Sequence, residues 1–147
     1  MRWPVVLWCL GVAAAACGSE ADSLTGFIPA ADGESPLAVV EAPPLDYELH
    51  AAYGPGELTV VNDCLFLDSV EAGAILLVWP SGSTEWSAES DAVRFTAAGE
   101  SPNVVRVGDD VIVAGGESAP SPSWLQQPIG CPEGIWAFVT SIRTYNS

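Results

Sequence analysis

The sequence predicts an all-β fold, a small six-strand antiparallel barrel with a seven-strand β-sandwich as the fallback, and three observations carry that expectation. Val, Ile, Leu, Phe and Trp come in short runs, Gly, Pro, Asn, Asp and Ser punctuate them, and no stretch beyond the leader holds a helical period. A pair of cysteines far apart in the chain supplies the staple that a domain of this size needs.

The densest apolar block runs from Glu57 to Pro80 and reads as two strands joined by Asp68 to Ala72, with Pro80 ending the second. Ser81 to Glu85 is a polar loop. Ala92 to Ala97 alternates, Val93 and Phe95 on one face and Arg94 and Thr96 on the other, as a half-exposed strand does. Gly99 to Asn103 is a turn, and Val104 to Val107 resumes the sheet. Val107-Gly108-Asp109-Asp110-Val111 reads as a tight hairpin feeding a strand that ends at Gly115 and Gly116, where a bend or bulge is expected. A Ser- and Pro-rich loop follows to Gly134, and Ile135 to Ile142 is the last strand, with Trp136, Phe138, Thr140 and Ile142 on one face. The Val-Gly-Asp-x-Val run at 107 to 111 resembles a hairpin common in OB-type barrels, which implies an OB-like arrangement of the six strands.

Ahead of this β domain, residues 57–147, stand two segments of different composition. Met1 to Ala16 has a single charge at Arg2 and an apolar run from Trp3, the pattern of a signal peptide, too short to span a bilayer comfortably. Its end, Ala14-Ala15-Ala16-Cys17, resembles the lipobox of bacterial lipoproteins. That resemblance implies that Cys17 is lipidated, becomes the first mature residue and holds the protein by its lipid in a bacterial cell envelope, outside the cytoplasm. The family usually has Leu where this chain has Ala14, so the competing reading is ordinary cleavage and release. Gly18 to Gly56 is rich in Ala, Ser, Glu, Asp, Gly and Pro and reads as a flexible acidic tether of about 39 residues, with an end-to-end distance of roughly 35 Å. The alternative is that Leu37 to Glu41 and Tyr47 dock on the domain as an extra edge strand.

Of the cysteines at 9, 17, 64 and 131, the first two fall in the leader and its end, which leaves Cys64 and Cys131 as a disulfide. The bridge closes a loop of about 68 residues and is worth on the order of 4 kcal/mol in the chain-entropy model. Two buried free thiols are the alternative, disfavoured because an exported chain meets an oxidising compartment.

Lysine is absent, and four arginines stand against nineteen carboxylates, a formal net charge of −15. Such a surface repels nucleic acid. With His50 as the only histidine and placed in the tether, a His-rich zinc site or a Cys-His nucleophile is unsupported, and the chain implies no cofactor and no metal. Calcium at Asp109 and Asp110, or at Asp63 and Asp68, lacks the six or so oxygens that a hard cation takes. Gly99-Glu100-Ser101-Pro102-Asn103 and Gly116-Glu117-Ser118-Ala119-Pro120 fail as nucleophile elbows at the final position.

Trp79 and Trp136 fall in strands and belong to the core. Trp86 and Trp124 fall in polar loops, where an exposed indole would stack on a sugar or anchor a protein partner; the preferred reading is that both fold back as lids over the ends of a small barrel, because a core this small needs the apolar area. The sequence therefore points to a non-enzymatic binding or structural module on the envelope, its partner a protein or a glycan. The competing class is a secreted hydrolase acting on glycans through Glu85, Glu89 and Asp91.

Overall fold

The computed structural model describes residues 25–32, 34–41, 49–118, 130–132 and 134–146, with the side chains of residues 49–51 and 117–118 left aside. Met1 to Ala16, Cys17, Tyr47 and Trp124 lie outside the described residues.

The described chain is all-β, as expected. Its strands are β1 (Ile28–Pro29), β2 (Ala38–Val40), β3 (Leu49–Val61), β4 (Cys64–Ser69), β5 (Gly73–Pro80), β6 (Thr84–Ser87), β7 (Ala92–Phe95), β8 (Asn103–Arg106), β9 (Asp110–Ser118) and β10 (Ile135–Thr144). A single 3-10 turn at Ser81–Ser83 is the only helical element among the described residues.

Two sheets result. The larger runs β10-β9-β3-β4-β5-β2, with a further pairing of β10 to β5, so that β3, β4, β5, β10 and β9 are linked in a ring. Within it β5 and β10 are parallel, Ile135 to Phe138 beside Ile75 to Val78, and every other contact of the ring is antiparallel. The smaller sheet runs β1-β6-β7-β8 and is antiparallel throughout. The expectation of one six-strand antiparallel set is corrected accordingly: two sheets share the strands, and two of the pairings are parallel.

Alternation decides which side chains go inward. Leu65 and Leu67 of β4, Ile75, Leu77 and Trp79 of β5, Val111 and Val113 of β9, and Ala137 and Val139 of β10 form one buried cluster with Leu58 of β3. The small sheet adds Trp86, Val93, Phe95 and Val105 to that cluster, so the two sheets share one core. Trp79 and Phe95 join them by an edge-to-face contact, ring centroids 5.8 Å apart. The intervening residues Cys64, Phe66, Leu76, Val78, Trp136 and Phe138 form a second buried cluster with Ala38 and Val40. Burial of both faces explains why these strands read as continuous apolar runs rather than as alternating ones.

The expected disulfide is present. Cys64, at the start of β4, is bonded to Cys131 just ahead of β10, with Cα atoms 5.6 Å apart, and both pack with the second cluster. The bridge therefore ties two members of the ring that do not pair directly.

Three strand expectations are corrected. The first strand of the Glu57 to Pro80 block is two, because Asn62 and Asp63 take φ of 51° and 60° and turn the chain between Val61 and Cys64. Two successive residues at positive φ make the hairpin turn whose twist matches the strands, and Asn and Asp are the side chains that tolerate it best after Gly. Second, the β9 strand does not end at its glycines. Gly115 and Gly116 pair with Val139 and Phe138, and the irregularity sits in β10 between Val139 and Ser141. Thr140 is the extra residue, its Oγ1 donating to Ala114 O at 3.1 Å, and the slip sends Ile142 into the inner core instead of onto the face of Trp136 and Phe138. A Cβ on Gly115 would overlap the carbonyl of Phe138, so this approach of β9 to β10 requires glycine.

Third, the described parts of Gly18 to Gly56 are built into the domain instead of forming a free tether. Ala38, Val39 and Val40 are buried and lie parallel to Val78, Trp79 and Pro80, which is the docked alternative for Leu37 to Glu41. Leu37 and Val39 reach the inner core while Ala38 and Val40 reach the second cluster, so four consecutive apolar residues are all used. The backbone of Leu49 to Gly56 pairs with β9, His50 lying opposite Gly115.

Candidate functional site

Of the residues singled out for ligand contact or catalysis, Glu85, Trp86, Glu89 and Asp91 lie on the β6–β7 hairpin, and Trp124 lies outside the described residues. Trp86 is central in β6, but it is only 4 % exposed and sits in the inner core with Val93 and Phe95. Its burial is that expected of a side chain folded back over a small core, and what is corrected is the polar loop: Thr84 to Ser87 is a strand, and alternation turns Trp86 inward and Glu85 outward.

Two of the carboxylates beside it, those of Glu85 and Glu89, are occupied. Glu85 lies directly opposite Arg94, and Glu85 Oε2 accepts from Arg94 Nη1 at 3.1 Å. The Arg94 guanidinium carbon lies 3.9 Å from the centre of the Phe27 ring. Glu89 Oε2 accepts from Thr25 Oγ1 at 3.1 Å, and Ser87 Oγ donates to the carbonyl of Thr25 at 2.7 Å. Asp91, at φ 46°, turns the chain from Ser87 to Ala92, and its carbonyl accepts from Val107 N at 2.9 Å. The chemistry of this cluster is therefore that of a clamp. It holds Thr25 to Ala30 along β6, where Ile28 faces Trp86, Pro29 faces Glu85, and Ala30 N donates to Thr84 O at 3.0 Å.

The aspartates weighed for calcium are distributed by the strand register. Asp63 and Asp68 stand at the two ends of β4, about 17 Å apart along an extended strand. Asp109 Oδ2 accepts from Arg106 N at 2.8 Å and closes the turn from β8 into β9, where Gly108 takes φ 93°. Glu57 lies opposite Asp68 on one side and Asp110 on the other, a row of exposed acids across three strands that only the register could disclose. Among the described residues no group of three or more His, Cys, Asp or Glu is disposed to hold a metal ion.

Sequence reasoning missed Thr25, Phe27 and Arg94 as members of this assembly. The available signal was Arg94 itself, the one cation within the acidic Glu85 to Asp91 neighbourhood. Comparison with protein-family models, curated proteins and solved structures finds no match.

Proposed function

We propose that the protein is an exported, non-enzymatic binding or structural module, held by lipid on Cys17 in a bacterial cell envelope and facing away from the cytoplasm. The observation that carries the reading is the disulfide between Cys64 and Cys131, a bond that persists in oxidising compartments, in a chain headed by a leader-like segment. The ending Ala14-Ala15-Ala16-Cys17 adds the resemblance to the lipoprotein cleavage site. Two acyl groups on one cysteine and a third on the new amino terminus would give the multiple chains that stable anchoring takes.

The ring of β3, β4, β5, β10 and β9 is read as a five-strand OB-like barrel, with β6, β7 and β8 of the small sheet inserted between its third and fourth strands and β1 joining them from ahead of the barrel. Such barrels bind extended oligomers across their strand face. The net charge of −15 turns this one toward a glycan or a protein instead of nucleic acid. A hydrolytic reading has less to stand on, because Glu85 and Glu89 are already engaged in holding Thr25 to Ala30.

Cys17→Ser in the full chain should abolish fatty-acid labelling and move the protein from the membrane fraction to the soluble or precursor pool. A wild-type protein that takes up no fatty acid, or whose mature amino terminus lies elsewhere, would sink the anchored reading. Crosslinking of the intact protein in its own envelope then identifies the partner as protein or glycan.

A further inference from the structure

Thr25 to Ala30 is not spacer but part of the small sheet, and this sets how far an anchored domain can stand from its membrane. Four contacts fix the segment: Ser87 Oγ to Thr25 O at 2.7 Å, Thr25 Oγ1 to Glu89 at 3.1 Å, Arg94 over Phe27 at 3.9 Å, and the pairing of Ile28 and Pro29 with β6. Between Cys17 and Thr25 only residues 18–24 intervene. Even fully extended, eight residue steps reach at most about 29 Å. The entry point is the end of the small sheet where β6 turns into β7, marked by Ala88, Glu89, Ser90 and Asp91.

We propose that the Thr25 edge and the β6–β7 turn form the membrane-proximal face of the domain, held within about 30 Å of a lipid headgroup layer. The placement rests on lipidation of Cys17 as proposed above, and it adds an orientation which that reading alone does not have. The face is acidic on balance, Glu89 and Asp91 both being exposed against the single guanidinium of Arg106, which lies opposite Ala92 at the same end of the sheet. Close approach therefore comes from the covalent leash and not from attraction to anionic headgroups, and it holds equally over zwitterionic lipid.

The test uses the full lipidated chain in phosphatidylcholine vesicles, with a fluorescent donor on Ala88→Cys and an acceptor on a minor headgroup-labelled lipid. In the acylated protein Cys17 is blocked and Cys64 is paired with Cys131, so the new thiol is labelled selectively. A 60-residue Gly-Ser insertion after Gly18 lies upstream of the docked segment and should reduce energy transfer several-fold. The same insertion after Asp32, in the exposed loop that follows β1, lies downstream of it and should leave transfer at the uninserted level. If both insertions lower transfer equally, Thr25 to Ala30 does not hold the domain and the placement is overturned, while fatty-acid incorporation measured on the same samples still reports the anchor. Absence of acyl label on the uninserted protein removes the anchor, and the placement with it.

Discussion

The ring and the small sheet share one core yet are stabilised differently. In the ring, β4, β5 and β10 bury both faces: Cys64 to Leu67, Ile75 to Trp79 and Trp136 to Val139 are each uninterrupted runs of buried residues. In the small sheet, strands of two to four residues bury Trp86, Val93, Phe95 and Val105 on one face, while on the other Glu85, Arg94 and Arg106 reach solvent and only the small side chains of Ser87 and Ala92 are buried. A two-faced strand has no slack, since any displacement disturbs two clusters at once. A one-faced strand at an edge is held by a few polar contacts and opens locally at small cost. The ring is thus the part that sets global stability, and the small sheet is the part that can yield by itself.

The sharpest break of that contrast is Gly115→Ala. The added methyl would overlap the carbonyl of Phe138 in the paired strand, backbone against side chain, and neither β9 nor β10 can retreat without disturbing the buried residues beside it. A loss of at least about 4 kcal/mol in urea unfolding is expected, in the range that marks a distinct steric cause. Gly82→Ala, in the 3-10 turn leading to the small sheet, meets nothing within 4 Å and should stay within about 0.5 kcal/mol of wild type. Similar costs at the two positions would mean that the close approach of β9 to β10 is not as drawn.

Next in size is the disulfide. Replacing Cys64 and Cys131 together by alanine should cost about 4 kcal/mol, since their separation of 67 residues makes a long loop to close in the unfolded chain. Native exported protein should resist thiol alkylation and become reactive only after denaturation with reductant. Thiols that react after denaturation alone would show the bridge to be absent. Hydrogen exchange in the double variant should rise across β4 and β10 together, because the bridge ties one to the approach of the other.

What was legible in the sequence follows the same division. The disulfide could be read because two cysteines were left once the leader had claimed its own, and β7 could be read because Val93, Arg94 and Phe95 alternate. Hidden features were those fixed by partners distant in sequence. Leu37 to Val40 is apolar enough to be a strand, but its surroundings of Pro, Glu and Gly made it look like tether until Val78 to Pro80 lay beside it. Trp86, between Glu85 and Ser87, looked like a loop aromatic because nothing local says which face of a four-residue strand is the covered one. The slip at Thr140 could not be anticipated from Ile135 to Ile142 alone; it arises opposite the Gly115 step of β9. The Asn62-Asp63 turn is the exception: its dipeptide was visible between two apolar runs and carried the hairpin signal.

The smallest global effect and the most local one belong to Arg94→Ala. Arg94 is half-buried and touches two things, Glu85 by an ion pair of 3.1 Å and the Phe27 ring at 3.9 Å. The ion pair is solvent-accessible on both sides and contributes well under about 1 kcal/mol, and the ring contact adds about 0.5 to 1 kcal/mol at such exposure. Global unfolding should shift by no more than about 1 kcal/mol, because the inner core keeps Val93 and Phe95 on the opposite face of the same strand. The loss should appear instead at the Thr25 to Ala30 segment. The amide of Ala30, which donates to Thr84 O, should lose protection by a factor of about 5, the equivalent of 1 kcal/mol, while the amides of Leu67, paired with Ile75, and Leu77, paired with Ala137, keep theirs in the ring. Unchanged protection at Ala30 would show that Ser87 and Glu89 hold the segment without Arg94. A parallel loss at Leu67 and Leu77 would show that the small sheet and the ring open as one unit, and the division between them would then be wrong.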